Sequence, residues 1–385
     1  MKKVLGRVAL AGVGLALALG LFEGVLQLLT PGLAGTFRGF YETSPEVGYK
    51  MKPGLDLVYS NPEYRTEIRS NSLGFRDDEH SLVKPEGTIR ILVLGDSFVE
   101  SLQVDLEETF HQILEQRLNE TSGGAKFEVI AMGVGGFGLS NEYLTWEHFG
   151  RDFNPDWVLL VAGSMNDIGC VGLDYPVDVE QLEERVVTTT NALKGSRTGR
   201  LYRSFRTYTI LRNQLWRLPG GYSVFTGLRS ALFKVLNQED AQATEPNPWL
   251  IYAASGELSP ATRQCWEQGY EFIAEFERSV RAQGGELLVV MRPRVEQLVE
   301  SRLQREFDFW DLEPEASQVD PDRADNFAEE TLATLGVASL VLYPYMRRAT
   351  DDSKILHFKV DRHWTKAGHQ VAAEAILEKF TGLAK

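Results

Sequence analysis

The chain has 385 residues, 43% of them hydrophobic and 10% aromatic, enough for a full core in one large domain or two ordinary ones. Its formal net charge of -14 leaves no concentrated basic face for phosphates, which excludes nucleic acid as an expected partner. Two cysteines, Cys170 and Cys265, are too few for a disulfide framework and lie in no metal-ligand spacing. They are expected as two small buried residues, the alternative being one bridge in an exported chain.

Lys2, Lys3 and Arg7 precede an uncharged run, Val8 to Phe22, which Glu23 interrupts before the apolar pattern resumes to Leu29. A positive start ahead of an apolar stretch is an export signal and keeps its positive end in the cytoplasm. Residues 1–30 are expected to be an uncleaved inner-membrane anchor helix, with the body in the periplasm or on the extracellular face. Cleavage near Ala16-Leu17-Ala18, leaving a secreted body, is the alternative. Residues 31–87 are rich in Gly, Pro, Tyr and Asn, with extended pieces such as "LDLVYS" and "YRTEIRS". They read as strand and loop packed on a larger domain.

From residue 88 the pattern alternates. "IRILVLG", "FEVIAMG", "DWVLLVAG", "ELLVVMRP" and "ASLVLYP" are short apolar strands, separated by amphipathic helices such as "EETFHQILEQRLNE" and "RADNFAEETLATLG". The last helix is "TKAGHQVAAEAILEKF". Such runs imply parallel strands covered on both faces: a three-layer α/β/α, doubly wound sheet with functional groups at the carboxyl ends of its strands. Residues 171–259 interrupt the alternation as a helical insertion. Its aromatic and basic stretches "LYRSFRTYTILRNQLWRL" and "SVFTGLRSALFKVL" read as helices packed on the domain, or else as a lid or a membrane-lying surface.

Four short stretches fall at strand ends: Gly95-Asp96-Ser97-Phe98, "MGVGGFGLSN" from Met132, "GSMND" from Gly163, and "DRHWTKAGH" from Asp361. Ser97 supplies a hydroxyl at the head of a helix, where the macrodipole favours developing negative charge. Its bland reading is a helix cap. His363 is the candidate base. Asp361 lies two residues before it, and in an extended segment side chains at that spacing project to one side. The carboxylate would then fix the imidazole tautomer and stabilise its cation. Gly136 lets the backbone approach a substrate and offers an N–H, Asn166 offers an amide, and with the Ser97 N–H they form a candidate oxyanion hole.

Gly133, Gly135 and Gly138 also satisfy G-x-G-x-x-G, but they follow the second strand, and no ribose-binding acid stands about twenty residues on. A dinucleotide is not expected. His80, His111, His148, His357 and His369 compete poorly as the base, and no pair has metal-ligand spacing with a carboxylate. No metal is expected.

The blocks at Ser97, Gly136, Asn166 and His363 resemble the four marker blocks of the SGNH (GDSL-type) hydrolase superfamily, over residues 88 to about 380. The resemblance implies a flavodoxin-like α/β/α fold and hydrolysis or transfer of acyl esters without metal or organic cofactor. Two departures stand out. The common family form places the aspartate three residues before the histidine, whereas "DRHWT" resembles the branch containing the alginate O-acetylation proteins. Ala131 also stands where many relatives carry Asn, which implies a lost structural hydrogen bond. The upstream "NSLGFRDDE", Asn71 to Glu79, resembles a segment of exopolysaccharide-associated members; its plain reading is a structural turn. The expected function is serine-dependent hydrolysis of acyl, chiefly acetyl, esters on an extracellular carbohydrate or lipid. The alternatives are an O-acetyltransferase acting on an exopolysaccharide, and a non-catalytic carbohydrate-binding or assembly protein.

Overall fold

The computed structural model describes residues 14, 17–26, 28, 40–60, 63–163, 168, 247–350 and 356–383. Among them, no helix is long and apolar enough to cross a membrane. Near the N-terminus the described residues are helical, with Leu17, Leu21 and Leu28 exposed.

The upstream segment forms two antiparallel pairs, β1 (Tyr41–Ser44) with β2 (Gly48–Met51) and β3 (Asp56–Ser60) with β4 (Arg65–Arg69). Phe40, Met51, Tyr59 and Ile68 close a small core of their own over Leu102. The main body is a five-stranded parallel sheet of β5 (Thr88–Gly95), β6 (Lys126–Gly133), β7 (Trp157–Gly163), β8 (Glu286–Arg292) and β9 (Ala338–Val341). Its order, β6-β5-β7-β8-β9, is that of a flavodoxin-like doubly wound sheet, whose order reverses beside β5.

Alternation within each strand feeds two cores. Ile91, Val93, Leu159, Val161, Leu288 and Val290 face α2 (Phe110–Thr121), α9 (Tyr343–Ala349) and α10 (Lys366–Leu383). Leu92, Leu94, Val158, Leu160, Leu287 and Val289 face α3 (Leu139–Thr145), α4 (Pro248–Ser255), α5 (Pro260–Ala282) and α8 (Arg323–Thr334). Between β5 and α2 lies the short α1 (Ser97–Glu100), and after β8 come α6 (Val295–Leu298) and α7 (Glu300–Trp310).

Of the helical insertion expected over residues 171–259, residues 247–259 are described, and their helix packs on the domain. Asn247 caps α4 by accepting from the Trp249 N–H, and Trp249, Leu250 and Ala253 are buried in the main core. The two aromatic and basic stretches lie outside the described residues. Cys265, half-buried on α5, is disulfide-bonded rather than a plain packing residue; the chain's only other cysteine, Cys170, lies outside the described residues. Distance along the chain says little about which thiols meet in space.

The 71–79 stretch is a structural turn that staples the upstream segment to the sheet. The Asn71 side chain accepts from the Leu73 and Phe75 N–H groups. Gly74 has φ +82, and a Cβ there would stand 2.3 Å from the Met51 carbonyl oxygen, so only glycine fits. Phe75 enters the main core. Arg76, fully buried, donates to the carbonyls of Glu67, Glu100, Ser101 and Val104. Asp77 accepts from the backbone N–H of Ala131 at 2.6 Å, so this carboxylate ties the turn to β6.

His80 completes the staple. Its Nδ1 lies 2.8 Å from Glu128 on β6 and its Nε2 3.2 Å from Asp77, so both ring nitrogens face carboxylates and the imidazolium is favoured. Burial works to lower its pKa, but the bonds to Asp77 and Glu128 outweigh it and hold the group up at about 9. A raised folded pKa adds stability that is fully present below the unfolded value of 6.5 and is lost as pH rises through about 9. The stability difference between wild type and His80→Gln, read from denaturant midpoints, should be largest at acidic pH and shrink through that window. A difference independent of pH would show that His80 serves only by packing.

Candidate active site

The apolar strand β5 ends at Gly95, and Asp96 turns the chain into α1. Asp96, not Ser97, is the helix cap: its Oδ1 accepts from the Phe98 N–H at 2.9 Å. Ser97 is therefore released from the capping role that the local sequence allowed. The helix it opens has four residues and stops at Ser101, whose φ is 56. So short a helix has little macrodipole, and the local N–H groups matter more than the sequence reading assumed.

The other oxygen of Asp96 accepts from Arg292 Nη2 at 2.8 Å, and the Arg292 guanidinium lies 4.0 Å from the centre of the Phe98 ring. Arg292 closes β8 and is 3% exposed. The Ser97 turn is thus held from a strand two positions away in the sheet. Sequence reasoning missed this residue; its one signal was a lone charge ending the apolar run "ELLVVMRP".

His363 Nε2 stands 2.6 Å from Ser97 Oγ, and Nδ1 stands 2.5 Å from Asp361 Oδ1. A carboxylate only accepts, so Nδ1 carries the proton, and in the neutral ring Nε2 accepts from the Ser97 hydroxyl. Burial works to raise the pKa of Asp361, but the hydrogen bonds from His363 and Tyr64 outweigh it and leave the carboxyl below its ordinary range. The Phe98 ring packs against the imidazole, with centroids 4.7 Å apart.

The two-residue spacing works by a route other than the one expected. Asp361 and His363 are not on an extended segment. Arg362 between them has φ 71, in the left-handed region, and the chain turns there. Phe358 N–H donates to the His363 carbonyl, and His357 bridges Trp364 across the loop. Arg362 is anchored to Glu296 at 2.9 Å and Glu306 at 3.4 Å. From the upstream segment, Tyr64 donates to Asp361 Oδ2 at 2.7 Å, and Glu63 accepts from the N–H groups of Val360 and Asp361.

The glycine block faces Ser97 from the end of β6. The carbonyl of Gly135 accepts from the Tyr49 hydroxyl at 2.7 Å, while its N–H serves the Glu100 carboxylate. Glu100 is fully buried and also accepts from Tyr41. Burial pushes its pKa up to about 7, against the pull of Tyr41, the Gly135 N–H and Arg76. A Cβ on Gly135 would lie 2.7 Å from Glu100 Oε2 and 3.6 Å from Ser97 Cβ, so this peptide lies against Ser97. Gly136 follows with φ +85, a conformation that favours glycine. Its N–H has no acceptor among the described residues. Asn166 lies outside the described residues, three beyond the end of β7.

The structure therefore brings together Ser97, His363 and Asp361, with Gly135 and Gly136 alongside. Tyr41, Tyr49, Glu63, Tyr64, Glu100 and Arg292 support them, and none carried a motif that announced it. The remaining histidines pack elsewhere. His369 Nδ1 accepts from the Phe110 N–H. His111 and His357 are buried, and burial lowers their pKa values to about 4 and about 3. Among the described residues, no group of His, Cys, Asp and Glu side chains could hold a metal ion.

No curated protein matches the chain in sequence. Similar solved structures include TesA (13% identity, TM-score 0.38, covering 76% of this chain and 99% of that one). Others are the acetyl xylan esterase AlAXEase (14%, 0.39, 76% and 99%) and a catalytic mutant of Axe2, an acetylxylan esterase from Geobacillus stearothermophilus (10%, 0.38, 75% and 93%). Residues 245–383 match the family model of the SGNH hydrolase-like domain, acetyltransferase AlgX, a match that takes in Asp361 and His363 and stops short of Ser97. By that match, the part of the chain holding Asp361 and His363 is similar to the SGNH hydrolase-like domain of an acetyltransferase.

Proposed function

We propose that the chain cleaves acyl esters, chiefly acetyl esters of an extracellular carbohydrate, through an acyl-Ser97 intermediate. The observation that carries this reading is the hydrogen-bonded line from Ser97 through His363 to Asp361. Ser97 Oγ bonds to the acyl carbon while its proton passes to His363 Nε2, and the carbonyl electron pair moves onto oxygen. Asp361 stabilises the imidazolium that forms. The N–H groups of Ser97 and Gly136 are the proposed donors to the oxyanion, with the Asn166 amide as the third. Collapse breaks the bond to the leaving alcohol, whose oxygen takes the proton back from His363. Water then gives a proton to His363, attacks the acyl-serine, and releases the acid with Ser97 restored.

The match to an acetyltransferase domain favours a second reading, in which a sugar hydroxyl takes the place of that water. The first half of the reaction is unchanged. Only the acceptor differs.

We also propose that the body works outside the cytoplasm, tethered by the N-terminal helix. Three features support this: the positive start at Lys2, Lys3 and Arg7, the exposed leucines that follow, and the disulfide at Cys265. Disulfides persist chiefly in oxidising compartments. Fractionation should recover the full-length protein in the membrane, its body open to protease from the outer side. Full-length protein in the cytosol would overturn the placement.

An acetyl-ester substrate, offered with and without excess oligosaccharide, separates the two acceptors. Free acetate alone is the expected product, acetylated sugar establishes transfer, and no turnover with no acyl-enzyme would leave a binding module. Ser97→Ala and His363→Ala should each lower turnover by several orders of magnitude, and the double variant should cost little more, because triad members act as a unit. Asp361→Asn should also be severe, since an amide cannot stabilise the imidazolium. Additive losses in the double variant would count against a shared mechanism.

A further inference from the structure

The turn between β3 and β4 places two consecutive side chains on the loop that carries Asp361. Tyr64 donates to Asp361 Oδ2 at 2.7 Å, the oxygen that His363 does not use. Glu63 accepts from the backbone N–H of Asp361 at 2.8 Å and of Val360 at 3.0 Å. The Tyr64 ring packs on Phe358 with centroids 4.9 Å apart, and Tyr59 backs it at 5.8 Å. A short loop with a non-glycine residue at positive φ is thereby held from outside the sheet domain.

We propose that Tyr64, with Glu63, is a positioning residue of the catalytic machinery, one that fixes the Asp361 carboxylate against His363. The proposal rests on the reading of Ser97, His363 and Asp361 as a catalytic line. A carboxylate with one oxygen on His363 can rotate about its χ2 bond unless the other oxygen is tied down. The Tyr64 hydroxyl ties it, and it does so without competing for the imidazole. The charged groups on or beside this loop are Glu63 on the upstream side, Lys359 within it, Arg302, which donates to the Lys359 carbonyl, and Arg362 with Glu296 and Glu306 on the other side. None of these carboxylates touches Asp361 Oδ2, so Tyr64 is its donor from the upstream segment. The segment before the sheet thus completes the site as well as covering it.

The test uses the full chain, with an aryl acetate as the probe substrate. Tyr64→Phe keeps the ring on Phe358 and removes only the hydroxyl; Tyr64→Leu removes the ring packing too. Tyr64→Phe should lower kcat roughly 10-fold with KM unchanged and little change in Tm, as expected for one lost hydrogen bond to a charged group. It should also move the downfield proton resonance of His363 Nδ1–H, which Asp361→Asn identifies by abolishing it. Tyr64→Leu should lower Tm as well. Wild-type kcat and an unmoved resonance in Tyr64→Phe would overturn the proposal while leaving the acyl-Ser97 reading intact. If wild type and Ser97→Ala are equally inert, the acyl-Ser97 reading fails for this substrate, and the resonance alone then decides the role of Tyr64.

Discussion

The hydrogen bond between Asp361 and His363 is the constraint that organises the site. With only Arg362 between them, the two side chains meet through a turn, and Arg362 sits at φ 71 to make it. A non-glycine residue in that region costs on the order of 1–3 kcal/mol and persists only where its surroundings enforce it. Here they do. Glu296 and Glu306 hold the Arg362 side chain, the His357–Trp364 bridge closes the loop, and Glu63 takes two of its backbone donors.

The Ser97 side is built by a different balance of charges. Asp96 caps α1 and is neutralised by buried Arg292, so the chain turns sharply while the hydroxyl of Ser97 stays uncommitted to the cap. One turn further along, Glu100 is a buried carboxylate. It persists because Tyr41, the Gly135 N–H and Arg76 surround it, and the same contacts lock the Gly135 peptide beside Ser97. Burial of this carboxylate is costly. What it yields is a fixed glycine loop beside Ser97.

Residues 40 to 80 therefore act on both halves of the site. Tyr41 and Tyr49 reach the glycine loop, Tyr64 and Glu63 reach the Asp361 loop, and Arg76, Asp77 and His80 fasten the segment to β6, to α1 and to the chain after it. The segment touches both halves of the candidate site, although it contributes no strand to the main sheet.

Much of the fold was legible from short-range pattern. Continuous apolar runs such as Ile91 to Leu94 are buried on both sides, so they announce parallel strands whatever their partners, and all five strands lie where the sequence put them. Ser97 and His363 were legible because each sits in a specific block at a strand end, and a doubly wound sheet gathers those ends. The short helices α6, α7 and α9 and the place of residues 247–259 in the core were not read, because helix periodicity does not say which face finds a partner. Arg362 at positive φ was hidden as well, since arginine itself does not favour that conformation. The tyrosines were beyond reach for a plainer reason. A hydroxyl at position 64 meets a carboxylate at position 361 only after the sheet has formed between them, and no local pattern encodes a contact across that distance. The sequence alone determined the strands, the helices and the chemistry available at their ends; only the tertiary structure decided which side chains hold that chemistry in line.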